Sequence, residues 1–170
     1  HQKGVPVCPT IFIEIGDTRS LAQILSETEW KEFVIKPSIS GAGRHTYKLA
    51  LNESHKYEQI FSELIANESM MIQEFQQHVV SDGEISLMVM NGEYQHAVLK
   101  KAKKGDFRVQ DDFGGSVCDY EASNEEKELA EKAIGACDVL PLYARVDIIK
   151  NNDGELCILE LELIEPELWF

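Results

Sequence analysis

Leu142-Tyr143-Ala144-Arg145-Val146-Asp147-Ile148-Ile149-Lys150-Asn151-Asn152-Asp153-Gly154-Glu155-Leu156-Cys157-Ile158-Leu159-Glu160-Leu161-Glu162-Leu163 decides the fold class. Two runs rich in apolar and β-branched residues, Leu142–Lys150 and Glu155–Leu163, flank a turn signal at Asn152-Asp153-Gly154. Such runs around a short Asx/Gly turn predict an antiparallel hairpin. Side chains alternate along a strand, so Arg145 and Asp147 share one face and Val146 and Ile148 the other. Glu160 and Glu162 share a face opposite Leu159, Leu161 and Leu163. Paired strands would gather three carboxylates and one guanidinium on one sheet face. Hard divalent cations take carboxylate oxygens at such a site. By pattern alone the same alternation also describes the solvent face of an ordinary hairpin.

Upstream, Glu84–Met90 and Tyr94–Lys100 flank Asn91-Gly92, the strongest short hairpin signal. Before them, strands are predicted over Thr10–Ile15, Glu32–Lys36, Thr46–Leu51 and Met70–Phe75. Helical spacing marks Ser20–Trp30, Glu53–Asn67 and Asn124–Cys137. Antiparallel hairpins with few helices predict an α+β fold rather than a doubly wound parallel sheet. The opening Gln2-Lys3-Gly4-Val5-Pro6 reads as the tail of a helix, and Leu168-Trp169-Phe170 is an apolar end in want of a partner. Both suggest a piece of a longer protein.

The composition bounds the function. The chain has 170 residues, 44% of them apolar, and a net charge of −14. That charge argues against nucleic acid, whose binding requires Lys and Arg to neutralise phosphates, and against anionic membranes. One local basic pocket still suffices for a phosphate ligand. No apolar run is long enough to span a bilayer, and no signal peptide follows His1–Lys3. Cys8, Cys118, Cys137 and Cys157 form no CxxC pair, so neither a zinc site nor a disulfide framework is expected, and a reducing cytoplasm is the default compartment.

Further stretches bear on phosphate. Val34-Ile35-Lys36-Pro37 ends a strand and runs into Ser38-Ile39-Ser40-Gly41-Ala42-Gly43-Arg44, a loop whose glycines allow backbone N–H groups to approach an anion. It matches neither a Walker loop nor GxGxxG, and an ordinary turn with a solvated lysine fits it as well. Lys100-Lys101-Ala102-Lys103-Lys104-Gly105-Asp106-Phe107-Arg108 is the one basic cluster of an acidic chain. Ile72-Gln73-Glu74-Phe75-Gln76 ends a strand with backbone groups that could face a planar base.

In this order the features resemble the ATP-grasp superfamily over nearly the whole chain. Lys36-Pro37 and the Ser40, Gly41 and Gly43 loop resemble its phosphate-binding lysine and flexible loop, and Gln73-Glu74-Phe75 its adenine-binding hinge. Glu84 after Asp82-Gly83 matches its ribose acid, and Lys100 falls where a basic phosphate ligand is expected. Ala102–Arg108 is similar to the glutamate-ligase branch that modifies ribosomal proteins, which is related to glutathione synthetase. Arg145-Val146-Asp147 with Glu160-Leu161-Glu162 matches the C-terminal signature of metal-binding acids and a phosphate-stabilising arginine. The ending Leu161–Pro166 resembles a bacterial group that includes the cyclo-ligase of cycloserine biosynthesis. Glu162 stands where most of the superfamily has Asn.

The resemblance implies two lobes, 1–76 and 77–170, whose antiparallel sheets enclose the nucleotide. The usual N-terminal substrate-side domain and an upstream phosphate lysine are missing from this stretch. It implies ATP and Mg2+ as cofactors, with two ions and Mn2+ as an alternative metal. The implied activity is ATP-dependent ligation of a small carboxylate to an amine or other nucleophile through an acyl-phosphate, with the isolated stretch not competent alone. Lys36 and Lys100 would hold phosphates, and Asp147, Glu160 and Glu162 the metal. Arg145 would stabilise the transferred group, and Arg108 would grip the substrate carboxylate. A non-catalytic nucleotide-binding module and a small-molecule kinase are the alternatives, and self-association is left open.

Overall fold

In a computed structural model, residues 3–41, 43–103 and 114–170 are described. The described chain divides into two compact units. One is Pro9–Phe75; the other joins His1–Cys8 to Gln76–Phe170.

Pro9–Phe75 holds a four-stranded antiparallel sheet in the order β1-β4-β2-β3. The strands are β1 (Thr10–Ile13), β2 (Glu32–Pro37), β3 (Tyr47–Ala50) and β4 (Met70–Glu74). One sheet face carries Ile13, Phe33, Ile35, Met70 and Ile72. These pack with Leu21, Ile24 and Leu25 of α1 (Leu21–Leu25) and with Phe61 and Ile65 of α2 (Glu58–Ile65) to form a core. Both helices are shorter than the spans expected for them, Ser20–Trp30 and Glu53–Asn67. Ser20 opens α1 with a capping box through Gln23, but Ser26 and Thr28 turn their hydroxyls onto the Gln23 and Leu25 carbonyls and end it. Leu51–Tyr57 is a 3₁₀ helix, so the expected 53–67 helix begins regularly only at Glu58. The Glu58 carboxylate accepts from the Leu21 and Ala22 N–H groups, satisfying the start of α1.

The other unit is a five-stranded antiparallel sheet in the order β7-β6-β5-β8-β9. Its strands are β5 (Glu84–Met90), β6 (Glu93–Lys101), β7 (Ser116–Tyr120), β8 (Tyr143–Lys150) and β9 (Leu156–Glu162). Two short helical segments belong to it, α3 (His78–Ser81) and α4 (Asn124–Gly135). Both expected hairpins form, β5–β6 and β8–β9. Asn91 and Gly92 both take positive φ, 51° and 85°, as a type I′ turn requires. Leu87, Val89, Ala97, Ala144, Val146, Ile148 and Ile158 pack one sheet face against Leu129, Ala130, Ala133 and Ile134 of α4. Ser123 caps α4 with a capping box through Glu126. The edge strand β7 and the short α3 lack any strong sequence signal and were not expected.

Two cysteines far apart in the sequence meet in the structure. Val7 forms a parallel bridge with Ile158, which brings the Cys8 and Cys157 sulfurs to 3.1 Å, both as free thiols. No helix among the described residues is long and apolar enough to cross a membrane. The architecture is α+β, with two antiparallel sheets and few helices.

Candidate nucleotide and metal site

The sheet face turned away from α4 carries the chemistry. Antiparallel register sets Glu84 opposite Lys100, Ser86 opposite Asp147, Arg145 opposite Glu162 and Asp147 opposite Glu160. Four adjacent strands therefore place Glu84, Ser86, Lys100, Arg145, Asp147, Glu160 and Glu162 on one surface. The solvent-face alternative is excluded for its centre, because Asp147 is 0% exposed.

Asp147 is held from three directions. Arg145 donates from Nε at 3.0 and 3.1 Å to the two carboxylate oxygens and from Nη2 at 2.9 Å. Ser86 Oγ donates at 2.5 Å, and Lys100 Nζ lies 3.4 Å away. Lys100 also pairs with Glu84, and Arg145 with Glu162. Oxygens of Asp147, Glu160 and Glu162 lie within 4.8 Å of one another, a spacing at which one hard cation can be shared. Four carboxylates thus face two cations, Lys100 and Arg145. The excess negative charge suits a divalent ion.

The electrostatics follow from burial and pairing. Burial raises the Asp147 pKa, but Lys100 and Arg145 outweigh it and hold it below the usual aspartate value. Burial disfavours the Lys100 ammonium, yet Glu84 and Asp147 keep its pKa above the ordinary lysine value. Arg145 is raised in the same way, chiefly by Asp147. Burial pushes Glu84 up to about 7, with Asp147 and Glu160 adding to the effect and Lys100 opposing it. Glu162 is also raised, chiefly by burial.

A pH dependence follows. Folded Glu84 keeps its proton between the ordinary glutamate value of 4.5 and about 7, whereas the unfolded chain loses it. The native state then binds more protons, so stability falls as pH rises through this window, by something on the order of 2–3 kcal/mol. Glu84→Gln is expected to shrink that slope, leaving the part due to Glu162. Urea midpoints at pH 5 and pH 8 for both proteins check this, and an unchanged difference between the two would refute it.

Gly83 sets the entry to β5. Its φ is +92°, and a Cβ there would collide with the Lys100 carbonyl oxygen. Only glycine lets the chain turn tightly enough to lay Glu84 against Lys100.

In Pro9–Phe75, Lys36 is half-buried on the sheet face away from the core. The register puts it beside Met71, itself paired with Phe12, which is 63% exposed. Lys48 lies on the same face and was missed by sequence reasoning. It pairs with Glu32 at 3.1 Å and stands 3.5 Å over the Phe75 ring. The alternation of Tyr47–Ala50 opposite Glu32–Ile35 is the signal that could have found it.

The 38–44 loop is anchored at its far end. Arg44 makes a two-armed contact with Glu68 at 2.8 and 2.6 Å, and His45 adds another at 3.0 Å. Arg44 and His45 together lower the Glu68 pKa to about 2. Ser40 Oγ donates to the Arg44 carbonyl at 3.3 Å, and Gly43 has a left-handed φ of 66°. A Cβ on Gly41 would meet open space, so loop packing does not require glycine there.

The Gln73–Phe75 segment uses backbone and side-chain donors within its own unit. The Glu74 N–H donates to the Pro9 carbonyl at 2.9 Å and the Phe75 N–H to the Glu32 carbonyl at 3.0 Å. Gln73 Nε2 donates to Thr10 Oγ1 at 2.9 Å. These N–H groups serve the sheet, so a base would have to use other groups of the segment. Arg108, with residues 104–107 of the basic cluster, lies outside the described residues.

Comparison with known proteins identifies the family and the fold. The model of the RimK-like ATP-grasp domain matches residues 7–163. The cycloserine biosynthesis protein DcsG of Streptomyces lavendulae is 29% identical over 179 residues, covering 97% of this chain and 59% of DcsG. The crystal structure of D-cycloserine synthetase DcsG superposes with a TM-score of 0.81 at 27% identity, over 97% of this chain and 59% of that one. Two others share the fold at lower identity. D-alanine–D-alanine ligase from Bacillus anthracis has a TM-score of 0.68 at 16% identity, over 95% of this chain and 53% of that one. The ATP-grasp ligase PsnB, complexed with a minimal precursor, Mg and ADP, has a TM-score of 0.65 at 18%, over 95% and 46%. The chain therefore spans about three-fifths of the length of DcsG. With the family model matched over residues 7–163, nearly the whole chain, the chain belongs to the RimK-like ATP-grasp family.

Proposed function

We propose that the protein is an ATP-dependent ligase that joins a small carboxylate to an amine or another nucleophile through an acyl-phosphate, and that this chain carries its Mg-ATP-binding portion. The buried Lys100–Asp147–Arg145 array beside Glu160 and Glu162 carries the reading. A surface hairpin has no reason to bury two cations and an aspartate together, since desolvation makes such arrays costly. They persist where a ligand uses them.

Asp147, Glu160 and Glu162 are the donors for Mg2+, and their spacing fits one ion or a pair, with Mn2+ able to replace it. When bound, the metal neutralises phosphate oxygens and orients them. For the carboxylates to serve it, Arg145 and Lys100 must release part of their hold on Asp147. The freed guanidinium and ammonium can then take an anion. Lys100 holds phosphate in this reading, and Arg145 stabilises charge on the transferred phosphoryl group. Glu84 takes the ribose hydroxyls. Lys36 contributes a further phosphate contact. The Ser40–Gly43 loop is suited to phosphate approach because Gly41 is not required by its own packing. The Gln73–Phe75 segment binds the base through groups other than the Glu74 and Phe75 N–H, and Arg108 grips the acceptor carboxylate as a fork. No covalent nucleophile on the protein is needed.

The relatives named as cycloserine synthetase and D-alanine–D-alanine ligase make amino-acid-like acceptors the first to test. The decisive experiment incubates the protein with Mg-ATP and an amino-acid panel and follows ADP, free phosphate and product. Free phosphate with a condensed product supports the ligase. A phosphorylated product supports a kinase, and Mg-ATP binding without turnover supports a non-catalytic module.

Lys36→Met should weaken Mg-ATP binding roughly 10–100-fold, the equivalent of one charge-assisted contact. Its half-exposed position predicts an unchanged melting temperature. Calorimetric titration with a thermal-melt control checks it, and wild-type affinity would remove Lys36 from the site.

A further inference from the structure

The apolar ending that lacks a partner in the sequence has one in the structure. After β9 the chain turns at Glu165, whose φ of 57° is left-handed, and passes Pro166. It then returns across the acid–base face of its own sheet. His96 Nε2 on β6 donates to the Leu168 carbonyl at 2.8 Å, and the His96 and Phe170 rings lie 5.3 Å apart. Between these anchors the Trp169 ring stands 5.6 Å from Lys100 Nζ and 5.5 Å from Arg145 Cζ. The order β7-β6-β5-β8-β9 makes the path clear, because a segment leaving β9 and reaching His96 on β6 must cross β8 and β5. Trp169 is only half-buried, so its ring borders an open surface.

We propose that Trp169 is the aromatic wall of the anion-binding end of the site and a specificity-determining residue for the group that Lys100 and Arg145 hold. The inference rests on the Mg-ATP reading above, in which that group is the terminal phosphate. An aromatic face attracts cations through its quadrupole and offers nothing to an anion. The ring therefore holds the two cations on one side while the carboxylates hold them on another. It also removes water from beside them, which strengthens their attraction for phosphate. A nucleotide lacking the terminal phosphate gains little from this wall. The expected signature is a change in discrimination between triphosphate and diphosphate, not a uniform loss of binding.

The chain has two tryptophans, so Trp30→Phe leaves Trp169 as the sole reporter. In that background, Mg-AMPPNP should shift Trp169 emission and protect it from acrylamide, and Mg-ADP should do so less. By calorimetry, Trp169→Ala should reduce the preference for Mg-AMPPNP over Mg-ADP by about tenfold, and Trp169→Phe should largely restore it. A preference unchanged in Trp169→Ala, or equal protection by both nucleotides, overturns the proposal while leaving the Mg-ATP reading intact. Failure of the wild type to bind either nucleotide overturns both. Should Trp169→Ala not fold, the single-tryptophan protein still decides the matter, through stronger protection of Trp169 by Mg-AMPPNP than by Mg-ADP.

Discussion

Asp147→Asn is expected to lower folding stability by about 3–5 kcal/mol and to abolish Mg2+-dependent nucleotide binding, whereas Glu160→Gln should lose the metal with the fold nearly intact. Alternation along β8 and β9 alone places Asp147 and Glu160 on one sheet face and suggests a cost of about 0.5 kcal/mol or less for either, as at a surface position. Burial separates them. Asp147 is wholly enclosed and answers Arg145, Lys100 and Ser86 at once. An amide there keeps the shape but leaves a guanidinium and an ammonium short of a counter-charge. Glu160 is half-buried beside the Asp147 and Glu162 carboxylates and pushes up the pKa of both Glu84 and Glu162. Neutralising it relieves that repulsion, so the metal-free protein should lose far less stability than Asp147→Asn does. Urea unfolding without metal, followed by Mg-ATP titration of the folded variants, separates the two effects. A wild-type urea midpoint for Asp147→Asn would mean the buried array is not what holds this face together.

The contrast shows what the sequence can and cannot reveal. Strand pairing and face assignment are local, set by alternation and by turns such as Asn91-Gly92, so the hairpins and the carboxylate cluster were legible. Burial is not local. Asp147 meets Lys100 of β6 and Ser86 of β5, and neither neighbour is encoded in a β8 pattern. Ser86 was reachable, since it alternates with Glu84, but a lone serine in an apolar strand gives no reason to choose it. Gln73–Phe75 is legible as a strand end, yet the commitment of its N–H groups depends on Pro9 and Glu32, distant in sequence. Helix ends failed for a different reason. The apolar spacing of Ser20–Trp30 stops at Leu25, and beyond it the hydroxyls of Ser26 and Thr28 turn onto the Gln23 and Leu25 carbonyls where the helix ends.

In the ligase reaction proposed for the whole protein, Arg145→Lys is expected to reduce turnover by about 10³-fold or more while leaving Mg-ADP affinity within a few-fold of wild type. A lysine retains the positive charge but loses the planar fork that engages both oxygens of Asp147 and reaches Glu162. Charge on a transferred phosphoryl group develops on several oxygens together, so a fork in fixed orientation stabilises it where a mobile point charge does less. The diphosphate product lacks that group, which is why its binding should be spared. Arg145 also clamps Asp147, so some loss of stability is expected, and the comparison belongs at a temperature where both proteins are fully folded. Single-turnover ADP formation measures the chemical step, and calorimetry with Mg-ADP measures the site. Parallel losses in both would make Arg145 a clamp for the metal acids rather than a partner of the transferred phosphate. A large loss confined to turnover is the result that the geometry around Asp147, Glu162 and Trp169 leads one to expect.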